Sequence, residues 1–556
     1  MARNLNISKE LMNAVIKVLK KHKYDSLAED IDDSRNYGGE VSITLACNGI
    51  DAPILKEIAQ VIPTTDGANG AVRRYLTSII RLAEDVGQPV GHLDVFPEAF
   101  YRWLTVKSID GWLYQESLSG NLLAWAVNRC WYTEESGSGD RYEAAHVTIE
   151  LVANRGSEGE HTGRRSEAGA AEATIHLSGA NLAGKNVAEV LFSRGYLKET
   201  LELREEYNRV QHRFSRFQVM GYKQFMGGGK AIQHNGDWGR DVDSLSPGTK
   251  FVNEEPLVDR QFTARKNNDV WLKYGVKEDE FTAIPLHHFL LMYDLHLDRR
   301  YWVHVDNIEP YQYDKTVTDK LVLPPEHRDL IDILVTDMDV FVDDIVKGKS
   351  GGTPILCYGE PGLGKTLTAE VYSEIAEKPL YKVHSGQLGT SAEDVESNLE
   401  EILRRAERWG AILLLDEADV YVAKRGNDLE RNAVVASFLR ALEYFNGLMF
   451  LTTNRIDDID DAIVSRMVAL FRYDRPNADM ARRIWKVIGV QFGMELTDPQ
   501  LDWLVAEFTT KVDPVKAISG RDIKQLLKLV KKYCAQKNVK ISTQAFRVCA
   551  VFRGIK

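Results

Sequence analysis

The sequence predicts an α/β fold: a parallel sheet with a C-terminal helical lid, preceded by a small helical domain and an α+β domain. Three observations support this fold class. A glycine-rich loop, Gly359–Thr366, lies between a short apolar run and a helical pattern. Two further apolar runs, 411–415 and 448–451, end in polar residues, which is typical of buried strands in a parallel sheet. Four later helical patterns predict helices after the sheet, and they cover residues 478–492, 499–508, 520–537 and 542–550.

The length and composition indicate an ordinary globular protein of several domains. The chain has 556 residues, too many for one compact core, and 44% of them are apolar. Its 70 Lys and Arg against 81 Asp and Glu give a formal charge of −11, which excludes an overall attraction to nucleic acid or anionic lipid. Five scattered cysteines form no CxxC pair, which favours a reducing compartment and no zinc site. No apolar run is long enough to span a bilayer and no signal-peptide core is present, so we expect a cytoplasmic protein without membrane contact.

The chain divides into four predicted regions. Residues 1–90 read as a small, mostly helical domain, residues 91–325 as an α+β interaction or substrate domain, residues 326–475 as a large nucleotide-binding subdomain, and residues 476–556 as the lid. In the first region helical spacing predicts helices over 8–30, 52–62 and 70–87, with a weak strand at Val41–Leu45.

The second region is rich in aromatic residues and carries no chemistry that its motifs reveal. Its predicted features are strands at His146–Val152 and Ala173–Leu177 around a polar loop, a helical run at 186–216, a hinge or turn at Gly227–Lys230, and a hairpin of Phe289–Leu295 with Tyr301–Val305. The histidines His287, His288, His296 and His304 allow a metal site, but strand or surface positions are the stronger interpretation. We therefore expect a binding or assembly role for this region.

The glycine-rich loop has the pattern of a phosphate cradle. Gly359, Gly362 and Gly364 let backbone N–H groups turn inward, and the following helix N-terminus adds partial positive charge. Lys365 reaches the β- and γ-phosphates of a nucleoside triphosphate, and the Thr366 hydroxyl is a ligand for Mg²⁺. The nucleotide-binding residues predicted here are Gly359, Glu360, Pro361, Gly362, Leu363, Gly364, Lys365, Thr366 and Leu367.

Two other predicted strands end in residues suited to hydrolysis. The run 411–415 is followed by Asp416, which is a ligand for Mg²⁺, and by Glu417, which orients and deprotonates the attacking water. The strand at 448–453 is followed by Asn454, whose amide hydrogen-bonds the γ-phosphate or the water without adding charge. Further along, Arg466 is either an arginine finger for a neighbouring subunit's ATP or a surface salt-bridge residue, and spacing alone leaves both open.

This ordered set resembles the AAA family of ATPases within the wider AAA+ group, over residues 326–540. The resemblance places Walker A at Gly359–Thr366, Walker B at Ile412–Glu417, sensor 1 at Asn454 and the finger at Arg466. It implies a P-loop sheet, a lid formed by the four C-terminal helical patterns, ATP and Mg²⁺ as ligands, and a homo-oligomeric ring, a hexamer by family resemblance. Ser519–Ile523 is similar to the family's sensor 2 segment, so Arg521 is expected to contact the nucleotide. Residues 380–389, 406–424 and 451–456, and more weakly Tyr301–Leu323, are most similar to a poorly characterised branch with a long N-terminal region and a single ATPase module.

Two positions depart from the family pattern. The first pore loop of threading motors usually carries an aromatic residue, whereas the aligned segment Gly389–Ala392 has none. The family often has two close arginines in the finger region, whereas here Arg472 lies six places after Arg466, and we favour Arg466 as the finger.

Three functions follow as hypotheses. The first is an ATPase that remodels or disassembles an unidentified protein client through a ring. The second is a nucleic-acid-associated ATPase, such as a loader or a defence enzyme, for which the basic pairs Arg164–Arg165, Arg213/Arg216 and Lys531–Lys532 are the only local support. The third is an assembly scaffold gated by ATP, which the missing pore aromatic keeps open.

Overall fold

The fold is described from a computed structural model. The residues described are 4–26, 28, 42–46, 52–62, 73, 76, 89–90, 92–117, 120–136, 143–154, 170–182, 184–234, 242–260, 271–272, 276–336, 352–389, 391–425, 429–443, 445–513 and 516–555. Most of the predicted helix at 70–87, most of the polar loop after Asn154, the end of the predicted helix at 326–346, and the pair Arg164–Arg165 lie outside these residues.

The described residues of the N-terminal region include two helices and a two-stranded antiparallel sheet. Strand β1 (Asn4–Ser8) pairs with β2 (Ser42–Ala46), and helices α1 (Lys9–Lys21) and α2 (Ala52–Val61) pack together. The sequence predicted β2 but not β1. The apolar faces of the two helices share a core with Trp112 and Tyr114 of the following region. These amphipathic faces therefore pack within the molecule.

The next region forms a five-stranded antiparallel sheet in the order β6-β5-β4-β3-β7. Its strands are β3 (Trp112–Glu116), β4 (Leu122–Thr133), β5 (His146–Asn154), β6 (Ala170–Leu177) and β7 (Tyr196–Lys198). Its helices are α3 (Phe96–Thr105), α4 (Gly179–Leu182) and α5 (Val187–Ser193), and α6 (Leu201–Gln218) follows β7. The predicted strands at 146 and 173 are confirmed.

The continuous helix predicted at 186–216 is wrong. The chain leaves α5 through Gly195, whose φ of 98° is left-handed, and residues 196–198 pair with β3. Helix α6 then starts afresh at a Thr200 cap, whose hydroxyl accepts a hydrogen bond from the Leu203 N–H at 3.3 Å. Edge pairing of three residues therefore overrides a helical pattern that is continuous in the sequence.

A second antiparallel sheet follows, in the order β11-β10-β9-β8-β12 with β11 also paired to β8. Its strands are β8 (Gln224–Gln233), β9 (Val242–Asn253), β10 (Phe289–Asp294), β11 (Arg299–His304) and β12 (Ile308–Pro310). The predicted hairpin of β10 with β11 is confirmed.

The hinge predicted at Gly227–Lys230 is wrong, because these residues lie inside β8 at a bulge. Glycine is required at Gly227 and Gly228 because the neighbouring backbone leaves no room for a Cβ atom, and not because the chain turns there. A Cβ on Gly227 would lie 2.3 Å from the Asn307 carbonyl oxygen, and one on Gly228 would lie 2.9 Å from the Pro247 Cα.

The third sheet is parallel throughout, in the order β14-β15-β16-β13-β17. Its strands are β13 (Thr353–Gly359), β14 (Leu380–His384), β15 (Ile412–Asp416), β16 (Leu448–Thr453) and β17 (Ala469–Tyr473). The described residues around them form the helices α7 (Pro325–Thr336), α8 (Lys365–Ile375), α9 (Ala392–Trp409), α10 (Asp419–Val422), α11 (Leu429–Leu442) and α12 (Asp461–Val464). Separate apolar cores lie on its two faces, and β15 and β16 are buried along their whole length, which confirms the predicted α/β fold.

The C-terminal region is a helical lid. Its helices are α13 (Ala478–Gln491), α14 (Asp498–Val505), which continues as a π-helical turn over Ala506–Thr510, α15 (Gly520–Lys537) and α16 (Thr543–Phe552). The four predicted helices are confirmed, and they enclose a common core that includes Trp485 and Phe546. Among the described helices, none combines the length and the apolar character needed to cross a bilayer.

The second antiparallel sheet is packed directly against the parallel one. Val252 and Tyr293 belong to the same apolar core as Trp409. The indole of Trp409 donates a hydrogen bond to Glu254, a fully buried carboxylate, at 3.1 Å. On the other side, Glu374 of α8 accepts hydrogen bonds from the Tyr311 hydroxyl at 2.6 Å and the Asp314 N–H at 3.0 Å. The second sheet is thereby attached to the helix that begins at Lys365.

Candidate active site

A cleft of about 1270 Å³ opens at the carboxyl ends of the parallel strands. The phosphate-loop residues from Pro361 to Leu367 line one wall, and Arg521 and Ile488 of the lid line another. The segment Ser244–Lys250 of β9 also contributes. The cleft is thus enclosed by three parts of the chain that lie far apart in sequence.

The loop geometry explains its glycines. Gly359 has φ of 144°, and a Cβ there would lie 2.3 Å from the Tyr473 carbonyl oxygen. Gly364 has φ of 104° and stands at the N-terminus of α8. The first amides of α8 have no partners within the helix, so they are available to an anion lying in the loop.

Lys365 points into the cleft from the start of α8 rather than into solvent. Its ammonium donates hydrogen bonds to the carbonyl oxygens of Gly359 and Glu360, both at 2.7 Å, and to Oδ1 of Asn454 at 3.0 Å. Burial lowers the pKa of Lys365, although the carboxylates of Asp419 and Asp416 act in the opposite direction. A buried cation of this kind gains strongly from an anionic phosphate beside it.

Asp416 lies at the end of β15, directly beside Thr366. The Thr366 hydroxyl donates to Asp416 Oδ1 at 2.9 Å, Thr452 donates to the same oxygen at 2.6 Å, and the Lys382 ammonium lies 2.9 Å from Oδ2. Burial alone would raise the pKa of Asp416, but the hydrogen bonds from Thr452, Lys382 and Thr366 outweigh it and the pKa lies below the usual value. An ionised carboxylate next to a threonine hydroxyl is a donor set that fits Mg²⁺.

Glu417 is exposed at the mouth of the cleft and has a left-handed backbone, with φ of 57°. Its N–H donates to the Thr452 hydroxyl at 3.1 Å. Asn454 is held by Asp419, whose Oδ1 accepts the Asn454 N–H at 2.8 Å. Both side chains line the same cleft as Lys365.

The two arginines predicted to contact nucleotide lie in different places. Arg521 lines the cleft, and its N–H donates to the Gly362 carbonyl oxygen at 3.1 Å. Arg466 is not among the residues that line this cleft. Its guanidinium pairs with Glu443 and donates to the Ala462 carbonyl oxygen at 3.2 Å. Arg472 forms an ion pair with Asp474 at 2.9 Å.

Comparison with known families agrees with this geometry. The model of the ATPase family associated with various cellular activities (AAA) matches residues 355–475. The chain carries an AAA ATPase domain. The matched residues run from the middle of β13 to the segment after β17, and therefore include the phosphate loop, Asp416, Glu417, Asn454 and Arg466.

Curated relatives are similar to parts of this chain. An uncharacterized AAA family ATPase, y4kL, from Sinorhizobium fredii is 30% identical over 139 residues, covering 24% of this chain and 42% of the relative. The ATP-dependent zinc metalloprotease FtsH of Ureaplasma parvum is 31% identical over 122 residues, 20% of this chain and 16% of the relative. A 26S proteasome regulatory subunit 4 homolog of Oryza sativa is 26% identical over 214 residues, 36% of this chain and 45% of the relative. The chain thus spans less than half the length of these relatives.

One solved structure is also similar in part. A chain in the E. coli MS115-1 HORMA:CdnC:Trip13 complex matches with a TM-score of 0.35 and 18% identity, covering 42% of this chain and 90% of that one.

Several residues of the AAA domain's site were missed by sequence reasoning. Lys382, Thr452 and Asp419 hold Asp416 and Asn454, and Arg475 pairs with Glu360 of the loop at 2.5 Å. A polar residue inside or next to an apolar strand can indicate a residue of the site, and Lys382 and Thr452 both fit this pattern. No local pattern identifies Arg475, because its partners are 115 and 42 positions away.

The AAA domain's predicted pore loop begins at Gly389, which has φ of 91°. The Tyr421 hydroxyl donates to the Gly389 carbonyl oxygen at 3.3 Å. Residue 390 lies outside the described residues, while 391 and 392 begin helix α9.

Of the histidines near the second sheet, His304 ends β11, His296 lies in the turn between β10 and β11, and His287 and His288 directly precede β10. His287, His288 and His304 are buried, and His288 hydrogen-bonds Gln211 at 3.0 Å. In the part of the chain that the structure describes, no group of three or more His, Cys, Asp or Glu side chains has the geometry of a metal site.

Proposed function

We propose that this chain hydrolyses ATP to ADP and phosphate, and that turnover in a homo-oligomeric ring, a hexamer by family resemblance, remodels a protein client. One observation carries the proposal: Lys365, Thr366, Asp416, Glu417 and Asn454 come from three strand ends and converge on one cleft. This is the arrangement that phosphoryl transfer to water requires, since the protein contributes mainly positioning and charge.

Each residue then has a separate role. The loop amides around Gly362 and the Lys365 ammonium bind the phosphates. Thr366 and Asp416 would hold Mg²⁺, which supplies positive charge against the phosphoryl oxygens when bound. Glu417 takes the proton of the attacking water, and Asn454, fixed by Asp419, orients that water or the γ-phosphate. Arg521 contacts the nucleotide from the lid.

A protein client is the proposed substrate for two reasons. Relatives similar to the AAA domain include a proteasome regulatory subunit homolog and a protease by name. The second antiparallel sheet is attached to α8 through Glu374, so a shift of α8 on hydrolysis reaches that sheet directly. Four buried free cysteines among the described residues, Cys130, Cys357, Cys534 and Cys549, support the cytoplasm as the proposed location.

The test replaces Glu417 by Gln. The variant should bind ATP as the natural chain does, because the amide keeps the size of the side chain, while turnover falls by roughly 100-fold or more because the base is lost. Glu400→Gln, on the exposed face of α9, is the matched control and should keep full turnover. Affinity capture with Glu417→Gln in ATP should then retain the client. Full turnover by Glu417→Gln would remove Glu417 from the mechanism.

A nucleic-acid role is the second candidate, and one observation favours it. Residues 476–556 contain fifteen Lys and Arg against seven Asp and Glu, and Lys524, Lys528 and Lys532 are exposed along α15. Arg213 no longer supports it, since its guanidinium donates to the carbonyl oxygens of Val305 and Ile308. The test is to measure ATPase rates with and without DNA or RNA. Strong stimulation of turnover by nucleic acid, falling steeply with salt, would favour this role over a protein client.

A further inference from the structure

Arg475 bridges the phosphate loop and the lid. It lies between β17 and α13, where the chain passes from the parallel sheet into the helical lid. Its Nε donates to Glu360 Oε2 at 2.7 Å, and its Nη2 lies 2.5 Å from the same oxygen. Its Nη1 donates to the carbonyl oxygen of Ala517, two residues before the N-cap of α15. One guanidinium therefore joins two parts of the chain that both border the cleft.

Glu360 connects this bridge to the phosphate-binding lysine. The Glu360 carboxylate is held by Arg475, while its carbonyl oxygen accepts a hydrogen bond from Lys365 at 2.7 Å. A displacement of Arg475 thus changes the position of a main-chain oxygen to which the Lys365 ammonium is bonded.

A second contact fixes the loop to the lid at Gly362. The Arg521 N–H donates to the Gly362 carbonyl oxygen at 3.1 Å. A Cβ on Gly362 would lie 2.7 Å from the Arg521 Cβ and 3.2 Å from the Ser519 hydroxyl. The loop backbone and the first turn of α15 are therefore in direct contact, and the lid cannot rotate about the loop without changing this contact or the Arg475 bridge.

We propose that Arg475 is a positioning residue that couples the lid to the phosphate loop, so that the affinity for ATP depends on the lid's orientation. The proposal rests on the ATPase function proposed above. A lysine cannot replace this arginine, because only a planar guanidinium presents donors to Glu360 and to the Ala517 carbonyl at once. The simpler alternative is that Arg475 only fastens the lid to the sheet, and the two ideas predict different measurements.

The experiment is a double-mutant cycle in the whole 556-residue chain. Arg475→Ala and Glu360→Ala should each raise KM for ATP by about 10-fold, since each removes charge-assisted hydrogen bonds at a half-exposed site. The KM of the double variant should be no higher than that of either single variant, because both changes break the same bridge. Arg475→Lys should resemble Arg475→Ala. Arg483→Ala, an exposed arginine on α13, is the control and should leave KM unchanged.

A readout without turnover separates this proposal from the ATPase proposal. Hydrogen exchange of residues 517–525, which include the Arg521 amide, should be faster in Arg475→Ala than in the natural chain when no nucleotide is added. Additive effects of the two single changes on KM would overturn the proposal. So would a lower melting temperature with KM and exchange unchanged, since that is the result expected of a simple fastening. If the natural chain does not hydrolyse ATP but the Arg475→Ala variant still exchanges faster than it, the ATPase function is rejected while the role of the Arg475 bridge is retained.

Discussion

Glu417 shows how a single residue of the site is held in an unfavourable state. Its φ of 57° places a glutamate in the left-handed region, which costs an L-residue about 1 kcal/mol. The hydrogen bond from its N–H to Thr452, whose hydroxyl also donates to Asp416, keeps the backbone there. Strain of this kind persists at functional sites because the surrounding contacts determine the conformation.

Replacing Glu417 by glycine should therefore raise stability and abolish turnover. Glycine adopts this φ without strain, so we expect the free energy of unfolding to increase by up to about 1 kcal/mol. Glu417→Gln is the matched control, because it loses the carboxylate and keeps the strain. Thermal unfolding of both variants provides the measurement. A glycine variant no more stable than the glutamine variant would show that the backbone at this position is not strained.

His304 gives a prediction about pH. Burial lowers its pKa to about 4, partly opposed by the attraction of Asp306 and reinforced by Arg209 and Arg213. The unfolded chain takes up a proton near pH 6.5 and the folded chain does not, so stability is complete above this pH and decreases as the pH falls toward 4. The loss amounts to about 3 kcal/mol over that interval.

The variant His304→Asn should remove this part of the pH dependence. The Nδ1 atom of His304 accepts the Asp306 N–H at 3.3 Å, and an asparagine side-chain oxygen can accept the same bond without titrating. Melting temperatures of both proteins at pH 7.5 and 4.5 are the measurement. If the asparagine variant loses as much stability as the natural chain, another group dominates the acid response.

At this scale the sequence predicts the residues that act on the substrate better than those that support them. Gly359, Lys365 and Asp416 are recognisable because one continuous strand–loop–helix pattern, or one strand end, contains the whole signal. Lys382 and Arg475 act through partners on other strands or in the lid, and only the folded arrangement brings those partners together.

At the scale of elements, the sequence predicts the buried strands and the lid helices well, but it does not predict the features at sheet edges. The central parallel strands β13, β15 and β16 are mostly apolar, and the lid helices carry a 3.6-residue period, so both could be predicted from the sequence alone. In the edge strands β14 and β17, Lys382 and Arg472 interrupt the apolar pattern. The break at Gly195 and the bulged glycines of β8 could not be predicted, because each depends on a neighbouring strand that the local sequence does not specify.

The packing of the second antiparallel sheet on α9 is testable through Trp409. Its indole N–H donates to Glu254, whose other oxygen accepts from Arg300 at 2.6 Å, and its ring contacts Tyr293 and Tyr381 at centroid distances of 4.8 and 5.0 Å. Trp409→Phe leaves one buried carboxylate oxygen without this donor, which should destabilise the protein by about 1–3 kcal/mol.

Hydrogen exchange locates the effect of that change. Residues 289–304, the β10–β11 hairpin, should exchange faster in Trp409→Phe, while the lid helices should not change. Trp131→Phe, at a partly exposed position on β4, is the control and should leave the hairpin as it is. Unchanged exchange in the hairpin would mean that the Trp409 hydrogen bond does not hold the two sheets together.

At the scale of the whole molecule, the position of Arg466 outside the cleft agrees with the proposal that another copy of the chain supplies this arginine to the site. All the other predicted catalytic residues line one cleft, whereas Arg466 pairs with Glu443 outside that lining. An arginine finger supplied in trans stabilises the charge of the transferred phosphoryl group, and its loss costs about 1,000-fold or more in turnover. Arg466→Ala should therefore be inactive alone because it lacks the finger, and Lys365→Ala because it lacks the ammonium that binds the phosphates.

Mixing these two inactive variants should restore turnover. Where an Arg466→Ala subunit binds ATP and its Lys365→Ala neighbour supplies the intact arginine, the interface is complete, and random assembly makes roughly a quarter of interfaces of this kind. A mixture of Lys365→Ala with Glu417→Gln is the matched control, because neither subunit then offers a competent ATP site, and it should stay inactive at every ratio. Recovery should rise with total protein concentration, since it requires assembly. Should the first mixture remain as inactive as its components while each variant still assembles, Arg466 does not act across a subunit interface, and the same mixing with Arg472→Ala would show whether that arginine takes its place.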